Sequence, residues 1–155
     1  MNLNELYQEV ILDHGRKPRN FRLLPMATHT AEGHNPLCGD QIHLMLSVRN
    51  GTIEEATFDG CGCAISTASA SLMTEAIKGQ KVEDAEVLFR QFQEAIVANG
   101  DTEPLGVLEC LIGVKEYPTR VKCATLAWHA LRAALESEEK SATISTETGE
   151  VIPHA

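Results

Sequence analysis

Cys38 in the run Asn35-Pro36-Leu37-Cys38-Gly39-Asp40, Cys63 in Gly60-Cys61-Gly62-Cys63-Ala64-Ile65-Ser66 and Cys123 in Arg120-Val121-Lys122-Cys123-Ala124 are thiols in three separate neighbourhoods of one chain. Thiols so placed read as a metal or sulfur site. Asp40 follows Cys38 by two residues, so three thiolates and a carboxylate supply four ligands, the number that a tetrahedral zinc or a cluster iron takes. Aspartate also caps strands and turns, and spacing alone leaves both roles open for Asp40.

The other two cysteines divide. Cys110, in Gly106-Val107-Leu108-Glu109-Cys110-Leu111-Ile112, reads as a small apolar core residue. Cys61 is read as a spare surface thiol beside a ligand, with a close dithiol or an alternative ligand pair as the competing readings. His43 falls on the polar face of a strand and His129 away from the helical face of Cys123. His14 and His34 are isolated and read as structural or surface residues. Arg120 and Lys122 either steady freed thiolates or are solvated cations at a helix start.

Five cysteines are an odd number for a disulfide framework, and Met1-Asn2-Leu3-Asn4-Glu5 has no basic segment followed by an apolar run. Reduced thiols and a cytoplasmic location are therefore expected. The 155 residues, 43% hydrophobic, suit one domain. The net charge of −9 repels phosphate backbones and anionic lipid. That excludes nucleic acid and a membrane surface as partners and favours a protein with a basic patch.

The positioning elements follow from periodicity. Leu3, Leu6, Tyr7, Val10, Ile11 and His14 share one helical face, with Asn2 as cap and Gly15 as stop. Arg16 to Pro25, with four basic residues, is a loop. A strand around Met26 to Glu32 is expected, then Ile42 to Val48 in alternation. An Asn50-Gly51 type I′ turn leads into Ile53 to Phe58. A helix after Cys63 buries Ile65, Ala68, Leu72, Met73 and Ala76, with serines packing around that stripe.

Val82 to Ala98 is another helix, ended by Asn99-Gly100, and a short apolar segment runs from Leu105 to Val114. The last helix opens at Pro118 and Thr119, buries Val121, Ala124, Trp128, Leu131 and Leu135, and carries Cys123 in its first turn or two. Both helix starts are expected to lower the pKa of their thiols, and Gly39, Gly60 and Gly62 to allow tight ligand loops. Residues 1–136 form the domain. Residues 137–155 read as a polar, flexible tail without apolar period.

Leu6-Tyr7 through Asp13-His14, Lys17-Pro18-Arg19-Asn20, Asn35 to Asp40, Gly62 to Ser66 with Ala68-Ser69-Ala70-Ser71, and Arg120 to Trp128, taken in order, resemble the IscU/SufU (NifU N-terminal) family of iron–sulfur cluster assembly proteins. The resemblance covers roughly residues 3 to 135. It implies an α+β, IscU-like fold: a small antiparallel three-stranded sheet packed against several α-helices, with Cys38, Asp40, Cys63 and Cys123 converging at one end. In the IscU scaffolds a histidine precedes the third cysteine, where this chain has Lys122, and the segment between Cys63 and Cys123 looks longer. Both features resemble the SufU branch.

That branch implies a zinc-dependent sulfurtransferase, a sulfur carrier acting with a cysteine desulfurase rather than a scaffold that builds a cluster. Its partner is a PLP-dependent cysteine desulfurase (SufS-like), and downstream cluster assembly proteins take the sulfur. Zinc holds the thiolates, and Cys38, beside Gly39, is the acceptor that attacks the donor persulfide. The alternatives are an IscU-type scaffold that builds a [2Fe–2S] cluster from iron on the same residues, a structural zinc module that docks partners, and a dithiol redox enzyme resting on Cys61-Gly62-Cys63 alone.

Overall fold

Asn2 caps the first helix, its side-chain oxygen accepting from the Glu5 N–H at 2.9 Å, and α1 then runs over Leu3–Arg16. The structure is a computed structural model that describes residues 2–136, 141–145 and 151–153. Gly15 does not stop α1. It lies in the last turn, where a Cβ would meet that of Ala64 at 3.3 Å, so it admits close packing on the next helix. The chain leaves the helix at Lys17. Of the predicted face, Tyr7, Val10 and Ile11 pack on the core and Leu6 is exposed; the Leu3 side chain lies outside the described residues.

The loop after α1 is a clasp rather than a free basic surface. Arg19 pairs with Asp13 at 2.6 Å, and its N–H donates to Ser71 Oγ, which also meets His14 Nδ1. Asn20 donates to Thr74 and accepts from the Phe58 N–H. These bonds tie the exit of α1 to the second helix and the sheet.

Three antiparallel strands follow: β1, His29–Asn35; β2, Asp40–Arg49; and β3, Thr52–Cys61. β1 starts later than predicted, because Pro25 and Met26 are spent in a turn closed by Ala27 N–H to Leu24 O. Asn50 and Gly51 have φ of 52° and 76°, the positive values that a type I′ turn requires. Ile42, Leu44 and Leu46 alternate onto the buried face, so the register fixes which residues emerge at the sheet's end.

The sheet goes further than three strands, in the order β3-β2-β1-β4-β5. Strand β4, Ser141–Ser145, runs parallel to β1, and β5, Val151–Pro153, runs antiparallel to β4. Both come from the stretch read as a polar tail. The segment has no periodic apolar stripe to announce it; Ile144, 6% exposed, ties β4 to the core. Residues 137–140, 146–150 and 154–155 lie outside the described residues.

The helices cover one face of the sheet: α2, Ala64–Ile77; α3, Val82–Ala98, ended by left-handed Asn99; a 3₁₀ segment, Glu103–Glu116, broken at Gly106; and α4, Pro118–Glu136. α4 packs on β1, β2, α2 and α3. It is therefore buried on more faces than a single stripe, through Ala127, Ala130, Ala133 and Ala134 as well as the predicted Ala124, Trp128 and Leu131, while the predicted Val121 and Leu135 are half-buried against the core. Trp128 stacks on Phe92 at 4.4 Å and donates from Nε1 to Ser69 Oγ, which donates in turn to the Ala124 carbonyl. The serines of α2 are a packing face, as expected.

His129 sits edge-on to Phe89, and burial, aided by Arg132, holds its pKa below the usual imidazole value. The folded state thus favours the neutral ring. Its stabilising contribution is complete above the unfolded value of about 6.5 and is lost as pH falls through that value towards the folded one. Urea midpoints are expected to drop between pH 7.5 and 5.5, and to drop less in His129→Gln; an equal drop in both would contradict this.

Candidate metal centre

Three elements deliver the site. The turn between β1 and β2 carries Cys38, held by N–H bonds from Cys38 and Gly39 to the Asn35 carbonyl. Gly39 has φ of 72° with open space around it, so the turn closes without strain and leaves Cys38 exposed. Asp40 opens β2 opposite Asn35 and is only 1% exposed.

Cys63 is the cap of α2: its sulfur accepts from the Ser66 N–H at 3.4 Å, and its own N–H donates to Asp40 Oδ1 at 2.9 Å. Asp40 therefore holds the entrance of α2. A Cβ on Gly62 would lie 2.8 Å from that same carboxylate oxygen, which is why glycine stands there. Gly62→Ala is expected to displace Asp40 and lower zinc affinity roughly tenfold or more in a competition titration against a chelating dye. Unchanged affinity would show that Asp40 does not need this space.

Cys123 lies in the second turn of α4 and is fully buried. Its sulfur contacts Cys38 Sγ at 3.6 Å, the Thr119 carbonyl at 3.6 Å and the Asn35 amide nitrogen at 3.7 Å. The expected lowering of its pKa by the helix start does not occur. Burial pushes the thiol up, and its hydrogen bonds with Asp40, Cys38 and Cys63 act in the same direction. Desolvation outweighs the dipole, which fades beyond the first turn.

The structure thus brings Cys38, Asp40 and Cys123 together, with donor atoms within 4.8 Å of one another. Cys63 joins them through Asp40, its sulfur 3.9 Å from Oδ2. Three thiols and a carboxylate suit a soft or borderline divalent ion. The 3.6 Å between Cys38 and Cys123 is close to the edge of about 3.8 Å that bonds of about 2.3 Å give in a tetrahedral zinc–thiolate centre. The residues fit such an ion.

Cys61 ends β3 across from Gln41 and is exposed; it does not belong to the group. Cys110 is buried in the core, its thiol pushed up to about 12 by burial. Arg120 is exposed and Lys122 half-buried on the first turns of α4. His43 pairs with Asp59, and the ligand group among the described residues contains no histidine. Asn35 escaped the sequence reading. It is 1% exposed, its nitrogen turned to Cys123 and its Oδ1 without a hydrogen-bond partner. Only its place three residues before Cys38 could have flagged it.

A thiol-rich centre at the end of a helix-covered sheet defines a protein suited to hold a soft metal ion or a transferable sulfur. The chain belongs to the NifU-like N terminal domain family, which matches residues 6–142. It is 42% identical over 140 residues to the zinc-dependent sulfurtransferase SufU of Bacillus subtilis (strain 168), covering 89% of this chain and 95% of that one. It is 40% identical over 136 residues to the iron-sulfur cluster assembly scaffold protein IscU of Streptococcus pyogenes serotype M1, covering 86% and 85%. Crystalline FiSufU of Fervidobacterium islandicum AW-1 superposes with a TM-score of 0.79 at 31% identity, over 87% of this chain and 100% of that one.

Proposed function

We propose that this protein is a sulfur acceptor of the SufU type, acting in iron–sulfur cluster assembly. Its donor is the persulfide of a PLP-dependent cysteine desulfurase, SufS-like, and its product passes to downstream assembly proteins. A reducing compartment such as the cytoplasm suits its free thiols. One observation carries the reading: of three gathered cysteines, Cys38 alone is exposed, on a turn, while Cys123 is buried and Cys63 half-buried on helices. The identity with a zinc-dependent sulfurtransferase supports it.

Cys38, Asp40, Cys63 and Cys123 would hold zinc, which supplies a redox-inert Lewis acid that keeps thiols deprotonated at neutral pH. The Cys38 thiolate attacks the outer sulfur of the donor persulfide. The donor S–S bond breaks, its cysteine leaves as thiolate, and a persulfide forms on Cys38. Asp40 orients Cys63 through its N–H, and Ser66 directs an N–H at the Cys63 sulfur. Arg120 and Lys122, which both precede Cys123 in sequence, place positive charge at the start of α4, suited to steadying a freed thiolate.

The second reading, a scaffold assembling a [2Fe–2S] cluster on the same residues, draws on the likeness to the IscU scaffold proteins. Metal analysis with a desulfurase assay separates the two. A colourless protein with about one zinc per chain that accelerates cysteine desulfuration is expected. Brown protein, absorbing in the visible and leaving the desulfurase unaffected, would favour the scaffold.

A further inference from the structure

We propose that Cys123 is the thiol that discharges the transferred sulfur, attacking the Cys38 persulfide to release sulfide and leave a Cys38–Cys123 disulfide. This rests on the reading that Cys38 carries the sulfane. The two sulfurs are 3.6 Å apart, in contact and separated by no other group. Cys123 is held there by the Asn35 amide and the Thr119 carbonyl.

Displacement at sulfur needs the nucleophile and leaving group on opposite sides. Cys123 is fully buried and Cys38 exposed, so attack comes from the interior and the outer sulfur departs into solvent. Attack on the inner sulfur expels hydrosulfide, a weaker base than a cysteine thiolate and the better leaving group.

The step balances without an added oxidant. The Cys123 sulfur forms a bond to Cys38 Sγ, the Cys38 S–S bond breaks with its electron pair leaving on the outer sulfur, and the Cys123 proton passes to that sulfur, which departs as hydrosulfide. The sulfane is reduced to sulfide while the two cysteines are oxidised to the disulfide. A dithiol reductant reopens that disulfide before the next sulfur is accepted. Cys63 is less suited, because its sulfur accepts the Ser66 N–H at the cap of α2 and stands outside the group of Cys38, Asp40 and Cys123, whose donor atoms lie within 4.8 Å of one another.

The test loads the full chain by two routes, desulfurase with cysteine and inorganic tetrasulfide, then removes metal with chelator and withholds reductant. Sulfide is trapped with monobromobimane and the cysteines are mapped by peptide mass spectrometry. The expected result is stoichiometric sulfide together with a Cys38–Cys123 linked peptide. In Cys123→Ser the sulfur stays on Cys38 and release slows at least roughly tenfold. Asn35→Leu, which spares every cysteine, is expected to slow release several-fold and guards against a folding defect in the serine variant.

Several outcomes would overturn the proposal: a parent chain that keeps its Cys38 persulfide, a linkage to Cys61 or Cys63, or undiminished release from Cys123→Ser. Loading by tetrasulfide but never by the desulfurase would refute the acceptor reading while the discharge step is still judged. A chain loaded by neither route refutes both.

Discussion

Cys38→Ala is expected to abolish sulfur acceptance, lowering stimulation of the desulfurase at least ~100-fold, because no neighbouring thiol shares its exposure and position. The fold should not notice. The turn is held by backbone bonds to the Asn35 carbonyl and has open space at Gly39, so with metal removed from both proteins the unfolding free energy should stay within about 0.5 kcal/mol of the parent. Sulfide release by the desulfurase, measured with parent, Cys38→Ala and Cys61→Ala, decides it. Cys61 lies outside the ligand group, and its variant should behave as the parent does. Full stimulation by Cys38→Ala would remove this residue from the chemistry.

The largest stability effect is expected at Trp128. The side chain is fully buried, stacked on Phe92 at 4.4 Å, and bonded from Nε1 to a serine that itself holds the α4 backbone. Trp128→Ala removes the largest fully buried side chain and leaves a cavity between α3 and α4, at a cost of about 3–5 kcal/mol. That is a large part of the 5–15 kcal/mol typical of a domain. Because Cys123 stands on the same helix, metal affinity should fall with stability. A loss below about 1 kcal/mol in urea unfolding would show that the neighbours close the gap.

Much of this was legible in the chain because local chemistry and tertiary demand agree. The Asn50-Gly51 turn, the Val82–Ala98 helix and the cap position of Cys63 follow from residues adjacent in sequence. The convergence of Cys38, Asp40, Cys63 and Cys123 came from motifs in a familiar order rather than from spacing. What escaped depends on partners distant along the chain. Gly15 looks like a terminator until Ala64 is seen against it. Strand β4 is specified by the free edge of β1 more than by its own composition. The shift at Cys123 is set by how deeply α4 sinks into the protein, which a helix-start rule does not contain.

The four proposed donor groups sit on a turn and strand, a helix cap and a helix interior that are distant along the chain, Cys38 and Cys123 being 85 positions apart. Whatever occupies the centre therefore acts as a tertiary clamp, absent from the unfolded chain. Its affinity adds to the folding free energy by RT ln(1 + [L]/Kd). Melting temperature becomes a gauge of occupancy, and a carrier stripped of its ion is also a looser protein.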